Sequence, residues 1–166
     1  MSTENLYNEE AKAKIKEMVE DIDFAMMATH LSKHPIHTIP MSTKKVDDEG
    51  AIWFLSGKDS THNSNIETDS RVQLLYSKPG SMQFLTLYGR AYITTEHSIL
   101  KELYSQSDDM WFDGLEDPNL TAICVNPAEA NYWDSKHNRL ATIFKMGIAT
   151  VTGENPEIGQ SGKIVL

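Results

Sequence analysis

The stretch Gly50-Ala-Ile-Trp-Phe-Leu-Ser-Gly-Lys-Asp-Ser-Thr-His-Asn-Ser-Asn-Ile66 reads as an apolar strand, a short polar turn and a small helix starting near Ser60. A second apolar strand, Val72-Gln-Leu-Leu-Tyr76, follows at once. The turn and helix start carry hydroxyls and a basic side chain. Helix N-termini present unpaired N–H groups and about half a positive charge, so such a start can hold an anion. An ordinary strand–turn–helix would look the same in sequence, so the stretch settles local structure before it settles chemistry.

Working outward, Glu9 to Asp21 is helical, with Ile15, Met18, Val19 and Ile22 spaced along one face. Phe24 to Leu31 is a mostly apolar, buried strand, and His34-Pro35 makes a turn. Ile36 to Val46 is a second strand, in which Pro40 signals an edge or an unpaired N–H. Asp47-Asp-Glu-Gly50 is a hairpin turn. Ala51 to Ser56 and Arg71 to Ser77 are the third and fourth strands, and Lys78-Pro-Gly-Ser81 is a second turn. Gln83 to Thr95 is a long fifth strand, where Gly89 signals a bulge or a tight corner. Thr95 is expected to cap a helix whose apolar face is Ile99, Leu100, Leu103 and Tyr104.

Leu120 to Val125 is the sixth strand. Asn126-Pro-Ala-Glu129 predicts a helix start, with an Asn cap and Pro at the first helical position. Asn131 to Asp134 predicts a short strand, and Leu140 to Val151 a last helix. The tail from 153 to 166, rich in Gly, Pro and polar residues, is expected to be loose. Six strands joined mainly by hairpins, with peripheral helices, predict a mainly β antiparallel barrel in one domain spanning 1–166. No G-x-G-x-x-G and no G-x-x-x-x-G-K-[ST] supports a dinucleotide fold or a P-loop.

The chain has 166 residues, 40% of them hydrophobic, which suffices for one real core. Its formal net charge is -9, with no basic stripe, which argues against nucleic acid and anionic membranes as partners. No run reaches the roughly 18 apolar residues of a membrane span, and no apolar signal core opens the chain, so a cytoplasmic protein is expected. The single cysteine, Cys124, lies in the apolar run Leu120 to Val125 and reads as a buried, inert thiol rather than a nucleophile. His30, His34 and His37 cluster, but no carboxylate or cysteine stands at metal spacing beside them, so no metal site is expected. Trp53, Trp111 and Trp133 fit core or interface roles. Trp111-Phe112 differs, because it follows Ser107-Asp-Asp in a polar loop and needs a ligand or partner to cover it.

Taken in order, these residues resemble the pyridoxamine 5'-phosphate oxidase-like, FMN-binding split barrels, and more closely their general-stress-protein branch. The resemblance runs from about Ile15 to Gly159. It rests on Pro40-Met41, Gly50-Ala-Ile-Trp-Phe, Asp59-Ser60…Ile66, Gly89-Arg-Ala91, Trp111-Phe112, Asp117-Pro118 and Glu129-Ala-Asn-Tyr-Trp133. It implies a split β-barrel that forms a homodimer, with FMN, or else FAD, in two grooves between subunits. By position it places Ile39, Pro40, Met41 and Lys44 where the family's second strand meets the cofactor. Leu55 and Ser56 fall at the isoalloxazine or ribityl chain, and Ser60, Thr61 and His62 at the phosphate. Trp111 and Trp133 fall near the ring or the dimer seam.

Two positions depart from the pattern. Ile39 replaces an arginine, and His62 replaces the phosphate-binding lysine of the small helix. Lys44 and Lys58 could compensate as point charges. On this reading a terminal phosphate favours FMN over riboflavin and FAD, and His62, with an ordinary pKa of about 6.5, becomes more readily protonated beside it. No general acid or base is evident, so catalytic residues stay unassigned. The leading expectation is a flavin-binding general stress protein acting as an oxidoreductase on an unknown substrate. The alternatives are a flavin-free binding or scaffolding module on the same barrel and a true pyridoxamine-phosphate oxidase. The last is disfavoured because the C-terminal segment is not arginine-rich.

Overall fold

Two long strands, Gln83–Thr94 and Leu120–Asp134, organise the molecule, and every other strand pairs with one of them or extends the sheet outward. The structure, a computed structural model, describes residues 2–3, 5–135 and 160–165. In chain order the elements are β1 (Ser2–Thr3), β2 (Leu6–Tyr7), α1 (Asn8–Ile22), β3 (Phe24–Thr29), β4 (His37–Ser42), β5 (Lys45–Val46) and β6 (Ile52–Gly57). There follow α2 (Thr61–Thr68), β7 (Arg71–Lys78), β8 (Gln83–Thr94), α3 (His97–Leu103), a 3₁₀ turn (Gln106–Met110), β9 (Leu120–Asp134) and β10 (Gln160–Val165).

The sheet runs β4-β3-β7-β8-β9-β10-β1, and β6 joins through the first half of β9, with Ile52 opposite Val125 and Gly57 opposite Leu120. β9 therefore serves two lobes. Its first half pairs with β6 and the end of β8, and its second half with β10 and the start of β8. This mainly β arrangement is a split barrel, as expected.

Period-two alternation supplies the core. β8 buries Gln83, Leu85, Leu87 and Ala91, and β6 buries Ile52 and Phe54. α1 lays Ala11, Ile15, Met18 and Val19 on the same core. Each such fully buried large side chain contributes roughly 1.5–3 kcal/mol. The other face of β6 turns Trp53 and Leu55 into a second cluster with Leu100, Leu103, Leu120 and Ala122 beneath α3.

Local cues hold at several points. Pro40 sits on β4, which ends the sheet order. The hairpin turn closes on Asp47, whose carboxylate accepts from the Glu49 and Ala51 N–H groups and from Trp53 Nε1. Gly50 takes a φ of 88° there, a conformation glycine adopts without strain. Gly89 marks a bulge: Tyr88 faces Glu129 while Gly89 faces Pro127, which leaves Ala128 as the extra residue.

Four expectations are corrected. The predicted second strand is interrupted, because the Thr43 N–H donates to Asp23 O and the Lys44 N–H to Trp53 O, separating β4 from β5. The helix expected at Asn126 is instead part of β9, which also absorbs the short strand at Asn131 to Asp134. Pairing with β8 overrides the Asn-Pro signal, and Pro127 is accommodated beside the bulge. The α3 cap is Glu96 rather than Thr95, with the Glu96 N–H bound by Thr94 Oγ1. The end of the tail is ordered, because Gln160–Val165 pairs antiparallel to β9 and buries Ile164. The helix expected at Leu140 to Val151 lies outside the described residues.

Candidate functional site

The β6–α2 connection folds as its residues dictate. The Ser60 N–H donates to Gly57 O at 3.0 Å, and the Ser60 hydroxyl accepts from the Asn63 N–H at 3.2 Å, capping α2. Asn119 holds the turn from below, accepting from the Lys58 and Asp59 N–H groups. Inside, Ser56 Oγ donates to Asn63 Oδ1 at 2.7 Å and Asn63 Nδ2 donates to Thr121 Oγ1 at 3.0 Å. Thr121 Oγ1 in turn donates to Ser56 O at 2.8 Å. All three residues are buried, so this closed polar loop locks α2 to the ends of β6 and β9. On its far side α2 is tied to β3 through Asn65 Nδ2 and Thr29 Oγ1 at 3.0 Å.

These elements frame a groove of about 590 Å³ between β4, β6, the start of α2 and the 3₁₀ turn. That volume suits a drug-sized or cofactor-sized ligand. Ile39, Pro40, Met41, Leu55 and Phe112 give it apolar walls, with Phe24 at one rim and Met110 and Trp111 at the other. Trp111 is 77% exposed at the mouth. Of the ten residues singled out in sequence, eight line the groove: Ile39, Pro40, Met41, Lys44, Leu55, Ser56, His62 and Trp111. Ser60 and Thr61 do not line it; Ser60 is committed to its cap and Thr61 faces solvent. The hydroxyl of Ser56 is turned inward to Asn63. Trp133 lies outside the groove, on β9 opposite Phe84.

Two groups set the polarity. Lys44 Nζ donates to both carboxylate oxygens of Asp108, at 2.9 and 2.7 Å, and to Ser105 Oγ at 3.3 Å. Burial alone would raise the Asp108 carboxyl, but the Lys44 ammonium and the Ser105 donors hold it below the usual carboxylate range. His62 Nε2 is buried and has no hydrogen-bond partner among the described residues. Burial, reinforced by His37 nearby, pushes the His62 imidazole down to about 4, so it is neutral at pH 7. The expectation of a partly charged His62 therefore does not describe the unligated protein. Lys58 lies on the opposite side of α2, in a separate cavity of about 390 Å³ with Glu67, Tyr92 and Thr94.

Sequence reasoning missed Asp108, Phe24, Ser42, Ser107 and Met110 as groove residues. The Trp111-Phe112 pair marked the 3₁₀ segment, but nothing local shows that Asp108 reaches back 64 residues to Lys44. Cys124 is buried, as expected, and burial pushes its thiol up.

The sequence profile of the family described as pyridoxamine 5'-phosphate oxidase like matches residues 10–157. No curated protein matches the chain. Among solved structures, a Jannaschia sp. CCS1 protein assigned as general stress protein 26 is 24% identical. The similarity covers 93% of this chain and 97% of that one, with a TM-score of 0.77. General stress protein 26 from Bacillus anthracis is 21% identical, covering 73% and 92%, with a TM-score of 0.64. The general stress FMN/FAD binding protein of Xanthomonas citri is 22% identical, covering 76% and 90%, with a TM-score of 0.65. At these identities the likeness establishes the fold.

Proposed function

Because the chain belongs to the pyridoxamine 5'-phosphate oxidase-like family, we propose that its groove holds a flavin and that the protein is a flavin-binding general stress protein with oxidoreductase activity. FMN is the proposed form, with FAD as the alternative. The observation that carries this reading is the groove itself. It combines apolar walls, an indole at its mouth and one buried imidazole nitrogen without a partner among the described residues, which suits a flat ring bearing a polar chain. A bound flavin supplies the redox chemistry. Ile39, Met41 and Leu55 would exclude water from the ring, Trp111 would cover it from the mouth, and His62 Nε2 would meet a polar atom of the ligand.

The protein is proposed to act as a cytoplasmic homodimer. In support, Phe24, Met26, Leu75 and Trp133 share one outer sheet face by register, and all four are exposed. Phe24 and the neighbouring Pro40 also line the groove, so that face and the groove are continuous. Among the described residues no helix is long and apolar enough to cross a membrane.

The test is titration of the purified protein with FMN and FAD, followed by flavin fluorescence. Saturable quenching that Leu55→Lys and Trp111→Ala both weaken supports the reading. Absence of binding to either flavin rejects it in favour of a flavin-free module. That second reading draws on the tie between Lys44 and Asp108, which occupies the groove's cation.

A further inference from the structure

The helix start at Ser60 and the lysines around it imply a groove that reads a phosphate by charge, but the side chains are arranged otherwise. Among the described residues lining the groove, Lys44 is the only lysine or arginine. It is held at both carboxylate oxygens of Asp108 and at Ser105, and the side chains of Lys44 and Asp108 are only 15% and 13% exposed. The carboxylate is itself fixed, accepting from the Ser105 N–H and hydroxyl at 2.8 Å each. A dianion brought to Lys44 therefore meets Asp108 at nearly the same distance, and attraction and repulsion largely offset each other. His62 adds no charge at neutral pH. Ser60 and Thr61 do not line the groove.

We propose that Asp108 is the specificity-determining residue of this groove: by holding Lys44 it leaves the groove electrically neutral, so that the ligand is recognised through an uncharged ring and polyol chain rather than through a terminal phosphate. This rests on the flavin reading of the groove and concerns which part of the flavin is read. FMN enters, but its phosphate adds little to affinity. His62 Nε2, buried and unpartnered, offers a neutral hydrogen bond that an uncharged hydroxyl of the ligand satisfies as well as a phosphate oxygen does. The chain's formal charge of -9 acts in the same direction at low salt.

The experiment is fluorescence titration of the full-length protein with FMN and riboflavin at pH 7.5, for wild type, Asp108→Asn and Lys44→Met. The expected wild-type dissociation constants agree within about threefold, less than one charge-assisted bond would give. Asp108→Asn frees the ammonium and should shift the ratio toward FMN by about tenfold, the value of one such bond. Lys44→Met, which keeps the aliphatic stem, leaves the Asp108 carboxylate without its counter-ion and should shift the ratio toward riboflavin by a similar factor. A wild-type preference for FMN of more than about tenfold, or a ratio that Asp108→Asn leaves unchanged, overturns the proposal.

A measurement without flavin separates this idea from the reading on which it rests. The melting temperature of the wild type is compared in inorganic phosphate and in chloride of equal ionic strength. Equal values support a groove that does not read phosphate, and stabilisation by phosphate that Lys44→Met abolishes overturns it. Failure of both flavins to bind rejects the flavin reading alone.

Discussion

An imidazole shielded from water and packed near a second imidazole resists protonation, and His62 is held in that way beside His37. The folded-state pKa, about 4, lies below the ordinary 6.5 of the unfolded chain. Above pH 6.5 both states are neutral and His62 has no effect on stability. Between pH 6.5 and 4 the unfolded chain binds the proton first, so stability falls as the solution is acidified and levels off below 4. Because the ring is only partly shielded, the loss attributable to it is about 1–2 kcal/mol rather than the full value of the shift. Urea unfolding from pH 7 to 4 should show that slope, and His62→Asn should flatten it. An identical slope in the variant would mean that other groups carry the dependence. That His62 lies at a helix start was legible from Ser60 and the spacing around it. Its neutrality was not, because the burial comes from β4 and the neighbouring ring, far away in sequence.

At the scale of the element, Gly89 has the clearest requirement. A Cβ placed there would sit 2.3 Å from Asn126 O and 3.2 Å from Pro127 Cα, both backbone atoms of β9. Neither can rotate away, so Gly89→Ala must push the two strands apart at the bulge. The expected cost is about 3 kcal/mol or more, in the range of core overpacking with strand displacement. Chemical denaturation checks this, and a loss below about 1 kcal/mol would show that the bulge slides at little cost. The glycine announced the bulge in sequence because few other reasons place glycine inside a strand. The same bulge hid the true extent of β9. Asn126-Pro127 carries a helix-start signature that only its partner Gly89-Arg90 on β8 overrides. Alternation and turn chemistry made β6, β7, β8 and the Asp47 hairpin legible. The Ser56–Asn63–Thr121 loop and the link from Lys44 to Asp108 were not, because each joins residues about 60 apart whose types signal nothing alone.

At the scale of the whole molecule, the exposed face of β3, β7 and β9 sets the expectation for assembly. Phe24, 61% exposed, stands with Met26, Leu75 and Trp133 on a surface that a second copy would cover. A stable interface needs on the order of 1,200–2,000 Å² in total. Light scattering coupled to size exclusion should give twice the chain mass of 18.7 kDa, and Met26→Lys with Trp133→Glu should halve it. A monomeric wild type at micromolar concentration would remove the dimer and any groove completed across it. The double role of β9 also bears on how the chain is made. Among the described residues, β6 has only a two-residue partner in β5 until β9 arrives, and β9 lies more than sixty residues downstream. At about 5–20 residues per second, a nascent chain leaves the ribosome with Phe54 and Leu55 unpaired, and Ile52 and Trp53 paired on one side alone, for roughly 3–12 s. The stretch that decides the fold is thus one that a chaperone would shield during synthesis.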